Sequence, residues 1–173
     1  RRLMYLISTI LDLSKMESGM MEYRFAPTDL RRVADISVNK IRLLADAKQV
    51  RLLVEALVER HWVRADSARI EQVLDNLLSN ALKYSPEGAA VKLHMEPRRD
   101  EGLLFVDVTD CGPGIPTEEV PHIFERFYRA DKARTTRGAG LGLAIAKKIA
   151  EDHHGTIEAE SVSPVELMRA LLS

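Results

Sequence analysis

The 173-residue sequence predicts an α+β fold, a two-layer α/β sandwich in which helices cover one face of a mixed sheet. Three longer segments carry apolar residues at three- and four-residue spacing, which is the period of an amphipathic helix. About four short apolar segments, bounded by turn-forming residues, have the character of strands. The length suits one domain with short appendages, and a folded chain of this size buries roughly 70% of its unfolded surface.

Composition narrows the class of protein. Lys and Arg total 25 against 26 Asp and Glu, so the chain lacks the basic excess of nucleic-acid-binding domains and we expect no nucleic-acid partner. The single cysteine, Cys111, excludes a disulfide framework and a cysteine-based zinc site, which favours a reducing, cytoplasmic environment. No apolar run approaches the roughly 18 residues of a membrane span. Because the sequence starts at Arg1 and within a helical pattern, we expect a fragment of a longer protein.

The first predicted element is a helix. Its apolar residues recur at helical spacing: Leu3, Leu6, Ile10 and Leu13. Asp12 and Lys15 interrupt the apolar run, which argues against a signal peptide, and Gly19 is placed to cap the helix C-terminus. The pattern fits equally well a helix that lies on its own domain and part of a dimerisation helix.

A connector, a helix and two strands are predicted next. The stretch MMEYRFAP is an extended connector, Thr28 is a good N-cap, and apolar residues from Leu30 to Ala45 follow with helical period. The segments VRLLVEAL and WVRAD are predicted strands, with VERH as the turn between them.

The middle of the chain contains a helix and a pair of strands. Asp66 or Ser67 caps the helix ARIEQVLDNLLSNALKYS, which PEG ends because Pro86 prevents its continuation. Two predicted strands follow, AVKLHME and LLFVDVTD, joined by a polar turn.

The C-terminal part is predicted to be more irregular. The loop DCGPGIP, a short helix near residues 117–120 and the stretch IFERFYRADKARTTR lead to GAGLGL, which opens a helix that Gly155 stops. TIEAES is the last strand candidate. In the tail, 162–173, Ser163, Pro164 and Glu166 form a capping box, which predicts a helix.

The central helix carries unusual polar residues. They fall in one narrow arc beside its apolar stripe: Gln72, Asn76, Asn80 and Lys83. Asn is a poor helix former, and a carboxamide offers an oxygen to a hard cation and an N–H to a phosphate. On this helix alone, a Mg²⁺–phosphate site and a solvated face are equally good explanations.

Two glycine-rich segments could contact a ligand. Gly138, Gly140 and Gly142 precede a helix N-terminus, a position that favours an anion, although a flexible turn would also use them. The sequence lacks a Walker A loop. The basic segment RADKARTTR is either a phosphate-facing lid or an exposed loop. Asp110, at the end of a predicted strand, can accept from an exocyclic amine such as that of adenine, and the glycines after it allow close backbone approach.

These segments together resemble the catalytic, ATP-binding domain of sensor histidine kinases, whose superfamily includes gyrase, mismatch-repair and heat-shock chaperone ATPases. EQVLDNLLSNALKYS resembles the N box, DCGPGIP the first glycine box, IFERFYR the F box and GAGLGLAIAKKIAEDHHG the second glycine box. The resemblance extends from about residue 3 to residue 161. LISTILDLSKMESG is similar to the end of the second helix of the family's dimerisation and phosphoacceptor domain.

This resemblance implies a division of the chain: 1–21 as the end of the dimerisation helix with its connector, 22–161 as the ATP-binding domain, and 162–173 as an atypical tail. It also implies site residues. Asn80 would ligate Mg²⁺, and the catalytic residues would be Asn76, Lys83 and Arg129, all near the phosphates. The other nucleotide-binding residues would be Tyr84, Asp110, Gly112, Gly114, Ile115, Phe124, Phe127, Gly138, Gly140, Leu141, Gly142 and Leu143. Of these, Asp110 would bind the adenine amine, and Phe124 and Phe127 would anchor the lid.

The implied activity is phosphorylation, with Mg-ATP, of a histidine on a partner helical domain, for relay to a response-regulator aspartate. The hydrolysing relatives carry Glu where this chain has Asn76, and an amide cannot usefully take a proton from water, so hydrolysis should be slow. Two other hypotheses are a nucleotide-binding interaction module without kinase output and a slow ATPase. The full-length protein is expected to be a homodimer, either cytoplasmic or anchored to the membrane with this domain in the cytoplasm.

The phosphoacceptor histidine of the family lies upstream of this sequence. The chain has five histidines, and none lies in a segment that resembles the acceptor helix. His61 is in a predicted strand turn, while His153 and His154 are near a helix C-terminus, where the helix dipole favours a cation. We therefore expect this chain to phosphorylate a partner and not itself.

Overall fold

The computed structural model describes residues 2–56, 61–98, 103–129, 139–162 and 165–172. Its helices are α1 (Arg2–Glu17), α2 (Leu30–Ala47), α3 (Ser67–Tyr84) and α4 (Gly142–Asp152), with a 3-10 turn at Val120–His122. Its strands are β1 (Ala26–Asp29), β2 (Arg51–Ala56), β3 (Trp62–Ala65), β4 (Ala90–Arg98), β5 (Leu103–Asp110), β6 (Thr156–Val162) and β7 (Val165–Leu172).

The main sheet is mixed, as predicted. Its strand order is β2-β4-β5-β7-β6, with β2 and β4 parallel and the other pairs antiparallel. The strands β1 and β3 form a separate two-stranded antiparallel sheet. The two strands predicted on either side of the turn VERH therefore belong to different sheets.

Helices cover one face of the main sheet, which confirms the two-layer sandwich. Along β4 and β5 every second side chain is buried, which is the period of a strand with one covered face. The core combines these residues with the apolar stripe of α3, and its largest fully buried side chains include Leu93, Met95, Ile70, Leu77 and Leu78. The polar arc of α3 lies beside this buried stripe and is half-buried.

The tail is a strand, so the predicted C-terminal helix is wrong. Strand β7 pairs with β5 from Leu104↔Leu172 to Asp110↔Glu166 and with β6 along its other side. Two ladders of backbone hydrogen bonds outweigh a local capping signal, because an isolated helix of this length is marginal in water. The strand also covers the edge that β5 would otherwise expose.

Two helix ends differ from the prediction in detail. The N-cap of α2 is Asp29, whose carboxylate accepts from the Arg31 N–H, while the Thr28 hydroxyl donates to the Ala65 carbonyl. Helix α4 ends at Asp152, and the residue with positive φ after it is His154, at +59°, not Gly155. Asn, Asp and His adopt this conformation more readily than other side chains.

Helix α1 lies partly on the domain. Leu13 and Met16 are buried in the core, and Asp12 pairs with Arg69 of α3 at 3.3 Å. Ile10, expected on the same apolar face, is 46% exposed. The predicted cap at Gly19 is confirmed, since its φ is +68° and the Met20 N–H donates to the Lys15 carbonyl. Within the described ranges, no helix is both long and apolar enough to span a membrane.

Candidate functional site

Helix α3 is joined to the glycine segment that opens α4. The Asn76 side-chain N–H donates to the Gly142 carbonyl at 3.0 Å. A Cβ added at Gly142 would lie 3.3 Å from the Asn76 Oδ1, closer than most side chains tolerate. The sequence predicted these two residues in one site, and the structure brings them into contact through the backbone of the glycine segment.

The other glycine loop meets the C-terminal end of the same helix. Asp110 is only 4% exposed, and its Oδ1 accepts from the Gly112 N–H at 2.6 Å. A Cβ at Gly112 would lie 2.7 Å from that oxygen and 3.4 Å from the Tyr84 Cβ. Gly112 is therefore needed for close approach between the loop, the carboxylate and α3.

Burial dominates the electrostatics of this loop. It raises the pKa of Asp110, and the hydrogen bond from the Gly112 N–H only partly opposes that effect. The second oxygen, Oδ2, makes no hydrogen bond within the described part of the chain. A buried carboxylate with one free oxygen favours a ligand that donates a hydrogen bond to it.

The two glycine segments are separated along α3 by the residues of the polar arc. Asn76 and Tyr84 are eight positions apart, which is about 12 Å of helix rise. Asn80 lies between them and is half-buried. The Lys83 Nζ donates to the Tyr84 hydroxyl at 2.9 Å and lies 4.5 Å from the centre of that ring. The arc thus places a carboxamide oxygen and an ammonium group between the two loops.

This spacing fits a magnesium nucleotide. The Asp110 end offers a buried acceptor for a base amine, and the Gly142 end offers the N-terminus of α4, which favours phosphate. Asn80 offers the neutral oxygen that Mg²⁺ accepts alongside phosphate oxygens. Gly112 lets the loop backbone lie close to Asp110 and Tyr84 at the first of these ends.

A third contact closes the site at Gly140. The Phe127 N–H donates to the Gly140 carbonyl at 2.8 Å, and a Cβ at Gly140 would lie 2.7 Å from the Tyr128 carbonyl oxygen. Both residues have positive φ, +59° at Phe127 and +70° at Gly140. Glycine is required at position 140 because a side chain there would collide with the backbone of Phe127 and Tyr128.

The two predicted phenylalanine anchors differ. Phe124 packs against the core, with the Lys147 ammonium 5.8 Å from its ring centre. The Phe127 side chain is 62% exposed, so its backbone, and not its ring, makes the contact with Gly140. Most of the lid that the two rings are expected to anchor, residues 130–138, lies outside the described residues, so this role stays a prediction.

The remaining predicted residues surround these contacts. Leu141 is buried, Leu143 and Ile115 pack against the core, and Gly114 has φ +75°. Arg129 is half-buried. Gly138 and most of the basic segment, 130–138, lie outside the described residues.

One site residue was missed from the sequence. The Ser161 hydroxyl, at the end of β6, accepts from the Ile115 N–H at 2.7 Å. The sequence gives one indication of this role. Ser161 is a polar residue in the half of the strand's alternating pattern that also contains Ile157 and Ala159, which face the core.

His153, which the sequence places near a helix C-terminus, is a buried structural residue. Its Nδ1 lies 2.8 Å from the Ile149 carbonyl, and its Nε2 accepts from the Asp66 backbone N–H at 3.0 Å. Both ring nitrogens thus hold the end of α4 to the start of α3.

Comparison with known proteins decides the family. A family model described as histidine kinase-, DNA gyrase B-, and HSP90-like ATPase matches residues 65–166, from the end of β3 into β7. The chain belongs to this ATPase family. The match includes both glycine segments and the polar arc of α3.

A curated relative with a similar sequence is a sensor histidine kinase. The chain is 42% identical over 164 residues to sensor histidine kinase WalK of Bacillus subtilis (strain 168), covering 93% of this chain and 26% of that protein. The chain thus spans about a quarter of the length of curated relatives that it matches.

Solved structures share the fold. Full-length ShkA in complex with AMPPNP matches with a TM-score of 0.88 at 24% identity, covering 99% of this chain and 35% of that one. Histidine kinase ThkA in complex with response regulator protein TrrA matches with a TM-score of 0.78 at 25% identity, covering 99% of this chain and 48% of that one.

Proposed function

We propose that this chain is the catalytic domain of a protein-histidine kinase. It binds Mg-ATP and transfers the terminal phosphoryl group to a histidine on a partner helical domain, from which the group passes to a response-regulator aspartate. The observation that carries the proposal is the arrangement about α3, which joins a buried carboxylate loop at one end to the glycine-opened helix α4 through Asn76. The names of sensor histidine kinase WalK and histidine kinase ThkA support the kinase class, while AMPPNP is named with ShkA and a response regulator with ThkA.

At the base end, Asp110 recognises the exocyclic amine. Its Oδ1 is occupied by the Gly112 N–H, so Oδ2 accepts from the ligand. Because burial disfavours an unpaired carboxylate, a donor at this position relieves part of that cost. Tyr84 and Ile115 contribute the apolar surface beside the base.

At the phosphate end, three groups stabilise the negative charge of the phosphates. Lys83 and Arg129 supply positive charge, and the N-terminus of α4 supplies backbone N–H groups. Asn80 holds Mg²⁺ through its carboxamide oxygen, and bound Mg²⁺ would neutralise charge on the phosphate oxygens. Asn76 fixes the Gly142 backbone and is no general base, which favours transfer to a protein acceptor over hydrolysis.

The helical segment before the domain is proposed to belong to the dimerisation helix of a homodimeric kinase. On α1, Ile7, Ile10 and Leu11 are exposed at i, i+3 and i+4, a spacing that places them on one face. The domain itself is proposed to extend from residue 22 through the tail, because β7 completes its sheet.

An interaction module without kinase output is the alternative. An atypical tail that left the sheet incomplete would favour such a module, but the tail pairs as a strand between β5 and β6 and so gives no such support. The absence of an acceptor histidine in the sequence remains compatible with both functions.

Phosphoryl transfer to an added acceptor separates them. The chain is incubated with radiolabelled Mg-ATP, alone and with a dimerisation domain that carries an acceptor histidine. We expect acid-labile label on the added domain and none on this chain, because transfer requires the acceptor nitrogen in line with the terminal phosphate. Measurable ATP binding without label on any acceptor would support the interaction module, and label on this chain that is lost on His154→Ala would contradict the proposal.

A further inference from the structure

The loop of residues 110–116 is held at both ends by a side chain. Asp110 accepts from the Gly112 N–H at 2.6 Å, and Ser161 accepts from the Ile115 N–H at 2.7 Å. The two side chains come from different strands, β5 and β6, which are not neighbours in the sheet. The loop is therefore fixed against two separate strands.

The sheet register sets Asp110 and Ser161 in one row. In the backbone pairing, Asp110 lies opposite Glu166 of β7, and Glu166 lies opposite Ser161. Two strand spacings separate the outer residues, which is about 10 Å. This is the end of the sheet from which the loop leaves β5.

The Ser161 side chain is on the covered side of the sheet. Along β6, Ile157 is buried and Ala159 and Ser161 are half-buried, whereas the residues between them are exposed. Asp110 likewise follows the buried residues of β5. The hydroxyl thus reaches the loop from the side on which α3 and the carboxylate lie.

The backbone at Ile115 depends on this hydroxyl. Ile115 lies beyond the end of β5, so no strand ladder pairs its N–H, and Gly114 before it has φ +75°. A serine oxygen that accepts this N–H replaces a ladder hydrogen bond at a point where the chain turns.

We propose that Ser161 is a positioning residue for nucleobase recognition. Its hydroxyl fixes the Gly112–Ile115 backbone against the base, so that the free oxygen of Asp110 meets the exocyclic amine. The inference rests on the proposed function, because it assigns the loop to the base of a bound nucleotide.

The role predicts a selective loss of base recognition. Ser161→Ala removes one hydrogen bond to the loop, and we expect the Kd for ATP and for ADP to rise about two- to tenfold. The Kd for GTP, whose guanine has a carbonyl in place of the 6-amine of adenine, should change little, so the preference for ATP over GTP falls by a similar factor. Ser161→Thr keeps the hydroxyl and should restore the preference.

Fluorescence titrations of ATP, ADP and GTP into the full chain, its two Ser161 variants and Thr156→Ala test this. Thr156 is an exposed residue of the same strand and serves as the matched control. Equal losses for ATP and GTP, an unchanged ATP affinity in Ser161→Ala, or no rescue by threonine would each overturn the positioning role. Failure of the unmodified chain to bind ATP would instead overturn the proposed function, and with it this inference.

Discussion

The two ends of helix α4 meet helix α3 and its flanks in very different ways. At its start, Gly142 contacts Asn76, and the neighbouring polar residue Asn80 is half-buried. At its end, a connector cluster formed by Tyr23, Arg24, Asp66, Asp152 and His153 closes the domain. There the Tyr23 hydroxyl donates to Asp152 at 2.5 Å and the Arg24 N–H donates to Asp66 at 2.9 Å.

The two regions differ in whether their buried polar groups find hydrogen-bond partners within the chain. His153 is 4% exposed, uses both ring nitrogens and has the Phe25 and Tyr23 rings at 4.9 and 5.3 Å. On the other side, beyond the start of α4 and at the C-terminal end of α3, Asp110 is equally buried but keeps one oxygen without a hydrogen bond among the described residues. A closed cluster contributes stability, whereas an incomplete one costs stability and is able to bind a ligand.

The largest expected effect is at Asp110. Asp110→Asn replaces an acceptor with a donor that faces the base amine, and we expect ATP affinity to fall about ten- to a hundredfold. Titration of a fluorescent ATP analogue measures it. Asp107→Asn, on the opposite face of the same strand, is the control and should bind ATP normally. Unchanged affinity in Asp110→Asn would remove this residue from the site.

The same variant should gain stability at neutral pH. Because the pKa of Asp110 is raised in the folded state, folded protein binds the proton more tightly than unfolded protein. The wild type therefore loses stability as pH rises from about 3.9, the ordinary value, through the raised pKa, and Asp110→Asn does not. Urea unfolding of both proteins between pH 4 and 8 should show the difference growing with pH; a constant difference would contradict the burial effect.

A substitution in the connector cluster should lower stability and leave ATP binding intact, the reverse of what we expect at Asp110. His153→Ala removes two buried hydrogen bonds and the ring contacts, and we expect the free energy of unfolding to fall by roughly 2 kcal/mol with ATP affinity unchanged. Chemical denaturation and titration give the two quantities. His154→Asn, at an exposed neighbour with positive φ that Asn tolerates, should change neither. A loss of ATP affinity without a loss of stability would break the distinction between the two ends.

The smallest expected effect is at Asn80, and its size should depend on whether Mg²⁺ is present. Asn80→Ala favours the helix, since Ala is the better helix former, yet it should weaken Mg-ATP binding up to about tenfold and metal-free ATP binding less. Calorimetry with and without Mg²⁺ separates the two terms, and Ser79→Ala is the exposed control one position away. Equal losses in both conditions would mean that Asn80 is not a metal ligand.

Much of the fold follows from periodicity. The apolar stripe of α3 and the alternation along β4 and β5 predict which faces are buried, because these patterns reflect contacts within one element. The tail shows the limit of such local signals. Its capping box is a genuine helix-start pattern, but strand pairing on both sides is a tertiary effect that the local sequence does not encode.

The candidate site divides in the same way. Asn76, Asp110 and the glycines lie in recognisable boxes, so the sequence predicts that they belong together. Ser161 was missed because its role depends on sheet register, which brings it to Ile115 from 46 residues away. An F box does not say whether the Phe127 ring or its backbone contacts Gly140, and in the structure the backbone makes this contact.

The central claim is that the nucleotide lies along α3 between the two glycine segments, and an amide map of ATP binding tests it most directly. In two-dimensional nuclear magnetic resonance spectra of the chain, addition of Mg-ATP should shift the backbone amides of Gly112, Gly114 and Gly142 and the side-chain amides of Asn76 and Asn80. The signals of Tyr23, Asp66 and His153 in the connector cluster should stay in place. Shifts centred on the connector cluster, or none at the two glycine segments when ATP is bound, would contradict the account.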